Sequence, residues 1–248
     1  MEKRTDKNSY TILFAVLMVL VVGSILAYLA TALKPKIDEN KRFEKQQNIL
    51  YAMGVNDNDE KSIAFIPTDK VEEMFTQYIK RQLIVQGDTA VDYKDAYLIN
   101  IKKEASKAKE ASYQRKLPLF VGEKDGEEFY IIPMRGKGLW DAIWGFVALD
   151  KNLVIKGVFF DHKGETPGLG ANINQRFFMD DFSGEYIADG TTFKGVTVAK
   201  GNADPKNNDK TDYEVDAIAG ATITGDGVSA MIKKDLKMYM PYLQTLKN

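Results

Sequence analysis

Residues 216–224 read Asp216-Ala-Ile-Ala-Gly-Ala-Thr-Ile-Thr224, and an apolar stripe follows them at Val228, Ile232, Leu236, Tyr239 and Leu243. Steps of three and four residues predict an amphipathic helix packed on a sheet. The small residues in front predict a tight turn, entered from a strand over 214–218. Such a turn lets the backbone approach a ligand closely, and Thr222 and Thr224 place two hydroxyls in it. The helix start adds unpaired N–H groups and the positive end of the helix dipole, which suit a phosphate. On physics alone the segment reads either as an anion site or as a plain strand-to-helix connection with a threonine cap.

Upstream, the period is that of strands. Apolar runs at 120–121 and 129–132 flank Lys124-Asp125-Gly126, a hairpin signal, and 143–149 and 153–160 flank Asp150-Lys151-Asn152. A further strand fits 194–199, followed by a polar loop over 201–210 that contains Pro205. Before residue 117 the pattern is helical. A charged helix is predicted over 36–53, and a second over 68–86, opened by Pro67-Thr68-Asp69 and closed by Gly87. The Lys-, Glu- and Ala-rich stretch 101–116 reads as a solvated helical face. Hairpins flanked by helices make the fold class α+β. Four segments are expected: a tail at 1–9, a transmembrane helix at 10–33, a helical membrane-proximal region at 34–116, and an α+β domain at 117–248.

Residues 10–33 carry no charge. As a helix they rise roughly 36 Å at about 1.5 Å per residue, enough to cross a hydrocarbon core of about 30 Å. A signal peptide with a site at Ala30-Thr31-Ala32 is the competing reading, but its apolar region runs only about 7–15 residues. Lys3, Arg4 and Lys7 precede the span, while Lys34, Lys36, Lys41, Arg42 and Lys45 follow it. Counting positive charges puts the C-terminal part in the cytoplasm, yet folded domains cross regardless, so charge leaves the orientation open. The uncharged span offers no ion path of its own.

Composition excludes much. Lys plus Arg number 34 against 35 Asp plus Glu, a net charge of −1, so nothing in the composition resembles a polybasic nucleic-acid binder. The chain has no Cys and a single His, His162. That removes disulfides, thiolate zinc, iron–sulfur clusters, a Cys nucleophile and multi-His metal sites. Hydrolysis through a Ser-His-Asp triad would have to use His162, which reads as a surface or capping residue. Redox chemistry would need an organic cofactor, and a flavin fits that gap.

Two more segments stand out: Gly136-Lys-Gly-Leu-Trp140 and Glu165-Thr-Pro-Gly-Leu-Gly170, the second a turn-forming loop before a helix expected over 172–182. Each alone reads as ordinary structure, with Trp140 a core aromatic. In order, however, the anchor, these two segments and Asp216 through Thr224 resemble one family, the C subunits of the sodium-translocating NADH:quinone oxidoreductase. That family is related to the G subunit of the Rnf electron-transport complex. The likeness covers nearly the whole chain and is most specific in the last motif, similar to the flavinylation sequence Asp-x-x-(Ser/Thr)-Gly-Ala-Thr. Ala219 departs from it, standing where the family commonly has Ser or Thr.

The resemblance implies FMN joined covalently through its phosphate to Thr222, with Thr224 as second candidate, by a dedicated flavin transferase. Asp216, Gly220 and Ala221 match the rest of the motif. With FMN held there, the two loops are expected to supply the pocket: Trp140 and Leu169 as walls for the flavin ring, with Glu165, Thr166, Gly168 and neighbouring backbone amides at its edge. The chain would be the FMN-bearing electron carrier of a bacterial inner-membrane complex that oxidises NADH, reduces quinone and pumps Na+. It would span the membrane once, with the flavin domain on the periplasmic side and the other subunits as partners. The alternatives are the Rnf G subunit and a membrane-anchored scaffold without redox function.

Overall fold

The computed structural model describes residues 8–59, 62–110, 112–201, 204 and 206–246. Lys3, Arg4 and Lys7 of the expected tail, and Pro205 of the expected loop, lie outside them. The chain divides into two compact units, one up to Phe43 and one from Glu44 onward. Helix α1 (Asn8–Ala52) runs through that boundary. In the first unit its apolar side chains are exposed along the whole 10–33 stretch, which fits a single-pass membrane anchor.

In the second unit α1 ends at Ala52, and Gly54, with a φ of +75°, lets the chain turn back. The N–H groups of Gly54 and Val55 bond to the C=O groups of Tyr51 and Leu50, both at 2.9 Å. There follow α2 (Val71–Tyr78), β1 (Ile79–Gln86), β2 (Thr89–Asp92) and α3 (Ile101–Lys107). Then come β3 (Leu117–Lys124), β4 (Glu127–Lys137), β5 (Ala142–Leu149) and β6 (Ile155–His162). After α4 (Arg176–Met179) lie the short strands β7 (Ala188–Asp189), β8 (Thr192–Phe193), β9 (Thr197–Val198) and β10 (Glu214–Val215), then α5 (Thr222–Thr245). The main sheet is antiparallel in the order β2-β1-β3-β4-β5-β6. The α+β class holds.

Both predicted hairpins form. Asp125 and Gly126 take positive φ (53° and 79°), as a two-residue primed turn requires, and fix the β3–β4 register at Lys124↔Glu127. Asp150 Oδ1 accepts from the N–H groups of Asn152 and Val154 to shape the second. The whole predicted stripe of α5 is buried, and Asp235 Oδ2 ties that helix to β4 through the Arg135 N–H at 2.7 Å. Successive residues on a strand face opposite ways. Phe159 of β6 accordingly joins Tyr51 and Phe65, whereas Phe160 joins Phe178 and Phe182.

Five expectations change. The predicted helix over 68–86 stops at Tyr78, and the region expected to be helical over 34–116 contributes two strands to the main sheet. Val71, Phe75, Ile79 and Leu83 recur every four residues, which mimics a helix; Gly87-Asp88 is a two-residue hairpin loop closed by Gln86↔Thr89, not a helix stop. Helix α3 ends at Lys107, and Glu104 on its supposedly solvated face is buried, accepting from Tyr113 Oη at 2.7 Å and the Lys116 N–H at 3.1 Å. The 172–182 helix is broken at Gln175, leaving α4 between two short 3-10 helices (Gly170–Asn174 and Asp180–Phe182), and the 194–199 strand shrinks to β9.

Glu185, fully buried beside the start of β6, has both carboxylate oxygens outside ordinary hydrogen-bond geometry among the described residues and lies 3.6 Å from Lys210 Nζ. Burial pushes its carboxyl up to about 7, with Asn207 and the Lys210 ammonium only partly opposing. Between the unfolded value of 4.5 and that pH, the unfolded chain is ionised while the folded one keeps its proton. This group's contribution to stability is therefore lost as pH rises through the window. Urea unfolding should show wild-type stability falling, relative to Glu185→Gln, by on the order of 1–3 kcal/mol from pH 5 to pH 8. Parallel pH profiles for the two proteins would refute the assignment.

Candidate functional site

Two turns of one design face each other at the start of α5. The Leu169 N–H bonds to the Thr166 C=O at 3.1 Å, and the Ala221 N–H to the Ile218 C=O at 3.0 Å. Each turn puts a glycine third, Gly168 at φ +77° and Gly220 at +73°, as a type II turn requires. Both close through backbone alone, so the turn forms without a hydroxyl at Ala219. From the second turn α5 begins: the Gly225 N–H reaches the Ala221 C=O at 2.9 Å, and no side chain caps the end. The N–H groups of Thr222, Ile223 and Thr224 are left without partners among the described residues, which leaves them free for an anion.

Glu165 holds this corner together. It is only 4 % exposed. Its Oε2 accepts from Thr224 Oγ1 at 2.6 Å and the Leu139 N–H at 3.2 Å, and its Oε1 from the N–H groups of Trp140 at 2.9 Å and Asp141 at 3.4 Å. A Cβ added at Gly138 would lie 2.6 Å from Oε1, and one at Gly170 would lie 2.7 Å from Oε2, so two glycines wall the carboxylate in. Burial acts to raise its pKa, but the bonds from Thr224 and the three backbone amides together outweigh it and hold the carboxyl below its ordinary value. His162 Nδ1 accepts from the Glu165 N–H at 3.1 Å, the capping role expected of it.

A cavity of about 230 Å³ opens here, lined by Glu165, Thr166, Leu169, Gly220, Ala221, Thr222 and Thr224 from the expected set. Sequence reading missed Leu139, Gly170 and Ile223, which complete the lining. Leu139 sits inside the quoted Gly-Leu-Trp run and Ile223 between the two threonines, so the motifs held them without marking their role. Trp140 is 66 % exposed rather than a core aromatic; its Nε1–H donates to Thr166 Oγ1 at 3.1 Å, bracing the ring beside the opening. Gly168 shapes the loop without lining the cavity. Asp216 also lies outside the lining. Its N–H donates to Asp181 Oδ2 at 2.9 Å, and burial, with Asp181 and Asp204 nearby, raises its carboxyl pKa.

The two threonines differ sharply. Thr224 is 1 % exposed and committed to Glu165, whereas Thr222 is exposed at the cavity and its hydroxyl has no hydrogen-bond partner among the described residues. Leu139, Leu169 and Ile223 add an exposed apolar rim, suited to a planar ring rather than to a hydrated ion alone.

An FMN-binding domain family matches residues 138–237, the segment containing every residue of this corner. The C subunit of the Na(+)-translocating NADH-quinone reductase from Neisseria meningitidis is 31 % identical, covering 100 % of this chain and 98 % of its own length. Its counterpart from Pseudomonas aeruginosa is 31 % identical over 92 % of this chain and 90 % of its own. Among solved structures, the counterpart from Parabacteroides distasonis superposes with a TM-score of 0.72 at 31 % identity, covering 85 % of this chain and 96 % of that one. An identity of this size, end to end and matched in three dimensions, means that the chain belongs to the family of C subunits of the Na(+)-translocating NADH-quinone reductase.

Proposed function

We propose that this chain is the FMN-bearing electron carrier of a membrane complex that oxidises NADH, reduces quinone and moves Na+, with FMN held by a phosphoester to Thr222. The observation that carries this reading is the contrast between the two threonines: a free, exposed hydroxyl at Thr222 against a buried, bonded one at Thr224. A non-redox scaffold would leave the FMN-binding match and the free amides of α5 without purpose.

The residues present fit the group. A phosphoester would exchange the Oγ1–H bond of Thr222 for Oγ1–P, the proton leaving with the group displaced from phosphorus (one water, for FMN itself), and would leave about one negative charge on the phosphate beside the three free amides; the helix dipole favours such a charge by roughly 0.3–1 kcal/mol. Retention therefore rests on the covalent bond rather than on affinity. Leu139, Leu169 and Ile223 would exclude water from one side of a ring held in the cavity, and Trp140, braced by Thr166, would flank it. Glu165 fixes the spacing of the loops. Bound FMN supplies the capacity to accept and release electrons singly or in pairs. The apolar first unit would anchor the chain in a bacterial inner membrane, with the flavin domain on the periplasmic side, a flavin transferase acting during maturation, and the other subunits as partners.

Made alongside a flavin transferase, the chain should give a fluorescent band that survives denaturing electrophoresis; made without it, none. Trp140→Ala and Leu169→Ala should each keep the band and shift the flavin's absorption maximum or midpoint potential. A dark band in the presence of an active transferase would refute the carrier reading. Spectra and potentials identical to wild type would remove Trp140 and Leu169 from the ring's surroundings.

A further inference from the structure

A second and larger cleft, about 420 Å³, lies between α3, β4 and α5. Among the described residues, six cations line it (Lys102, Lys109, Arg115, Arg135, Lys137 and Lys234) and no carboxylate does. Of these, Lys102, Lys109 and Lys137 are exposed and make no ion pair among the described residues. Arg115 has a buried Nε without an acceptor, and its Nη1 meets only Met238 Sδ at 3.2 Å. Lys234 Nζ approaches Asp235 Oδ1 at 3.6 Å, but that carboxylate is buried behind the wall and already accepts from the Arg135 N–H. Because the whole chain carries −1, gathering six positive charges here leaves −7 on the remainder. Charge segregation of this size within a nearly neutral chain is the mark of an electrostatic docking surface.

The cleft adjoins the flavin corner. Lys137 immediately precedes Gly138, which packs on Glu165. Gly227, in its wall, lies five residues beyond Thr222 on α5, roughly 7.5 Å along the axis at about 1.5 Å per residue. Resting on the reading of the chain as one part of a larger complex, we infer that this cleft receives an acidic segment of a partner subunit, seating that partner beside the flavin anchor. Gly136 and Gly227 let β4 and α5 pack closely and so shape the wall: a Cβ would lie 2.8 Å from Met231 Cβ at the first and closer still to the Lys137 carbonyl oxygen at the second. A free nucleotide is disfavoured, because no aromatic side chain lines the cleft for stacking. A bilayer surface is flat and fits a convex basic face better than a concave one.

The test uses the full chain, tagged and expressed with the other subunits, and the triple variant Lys102→Glu/Lys109→Glu/Lys137→Glu. Flavinylation, read by in-gel fluorescence, reports the carrier function separately and should equal wild type. Co-purification of the other subunits should fall about ten-fold or more at moderate salt. A Lys→Gln triple variant should fall between the two, and wild-type capture should weaken as NaCl rises. Equal capture for wild type and both variants, with matched thermal melts, would overturn the inference. So would loss of binding to phosphatidylglycerol vesicles with capture of the subunits unchanged, which would assign the cleft to the membrane. Protection of the cleft lysines from acylation by millimolar pyrophosphate alone, with capture unchanged, would assign it to a small anion and overturn the inference as well.

Discussion

Thr222→Ala is expected to abolish covalent flavin, taking the in-gel band to background even with the transferase present. The fold should not notice. Thr222 is exposed and its hydroxyl has no partner among the described residues, so the change should cost no more than about 0.5 kcal/mol. Thr222→Ser keeps a hydroxyl on the same helix start and should keep a band. Thr224→Val should do the reverse of Thr222→Ala: the band persists, but stability falls by about 1–3 kcal/mol because Glu165 Oε2 loses its 2.6 Å donor inside the protein. Fluorescence and urea unfolding on the same four proteins separate these outcomes. A bright Thr222→Ala beside a dark Thr224→Val would move the attachment site two residues along the helix.

The second large effect belongs to Glu165. Replacing it with Ala strands the Thr224 hydroxyl and the N–H groups of Leu139, Trp140 and Asp141 together. A loss of about 3 kcal/mol or more follows, in the range for breaking a buried hydrogen-bonded network. At roughly 2–4 °C per kcal/mol for a domain of this size, the melting temperature should drop by about 6–12 °C. Glu165→Gln preserves shape but not charge and should lose less. It also carries a pH signature. The folded carboxyl sits below the ordinary 4.5, so its stabilisation is present above that value and is lost as pH falls through the folded pKa. Wild type should lose that increment on acidification below about pH 4.5, while Glu165→Gln should not. Identical acid unfolding curves would show that the carboxylate is not the brace described.

How far the sequence revealed this molecule depended on how local each signal was. The α5 stripe and the Asp125-Gly126 turn need only neighbouring residues, and both were legible. β1 was not, because Val71, Phe75, Ile79 and Leu83 keep a helical step across a boundary that pairing with β2 and β3 enforces. The corner at the start of α5 was legible as motifs but not as roles. Glu165 looked like a ligand for the flavin edge, yet its bonds are already taken inside the protein. Asp216 matches the family pattern and yet lies outside the cavity lining. Trp140 looked like core and is exposed. The basic cleft left no trace in the chain, since its cations come from α3, the segment before β3, β4 and α5, and meet only through the topology.

The ester at Thr222 is tested most directly by the intact mass of the native protein, isolated from its own membrane and followed by peptide mapping. The expected mass exceeds that of the amino acids by one FMN less one water, with the whole increment on the peptide that carries Thr222. A mass equal to the bare polypeptide, or an increment on a peptide lacking Thr222, would contradict it.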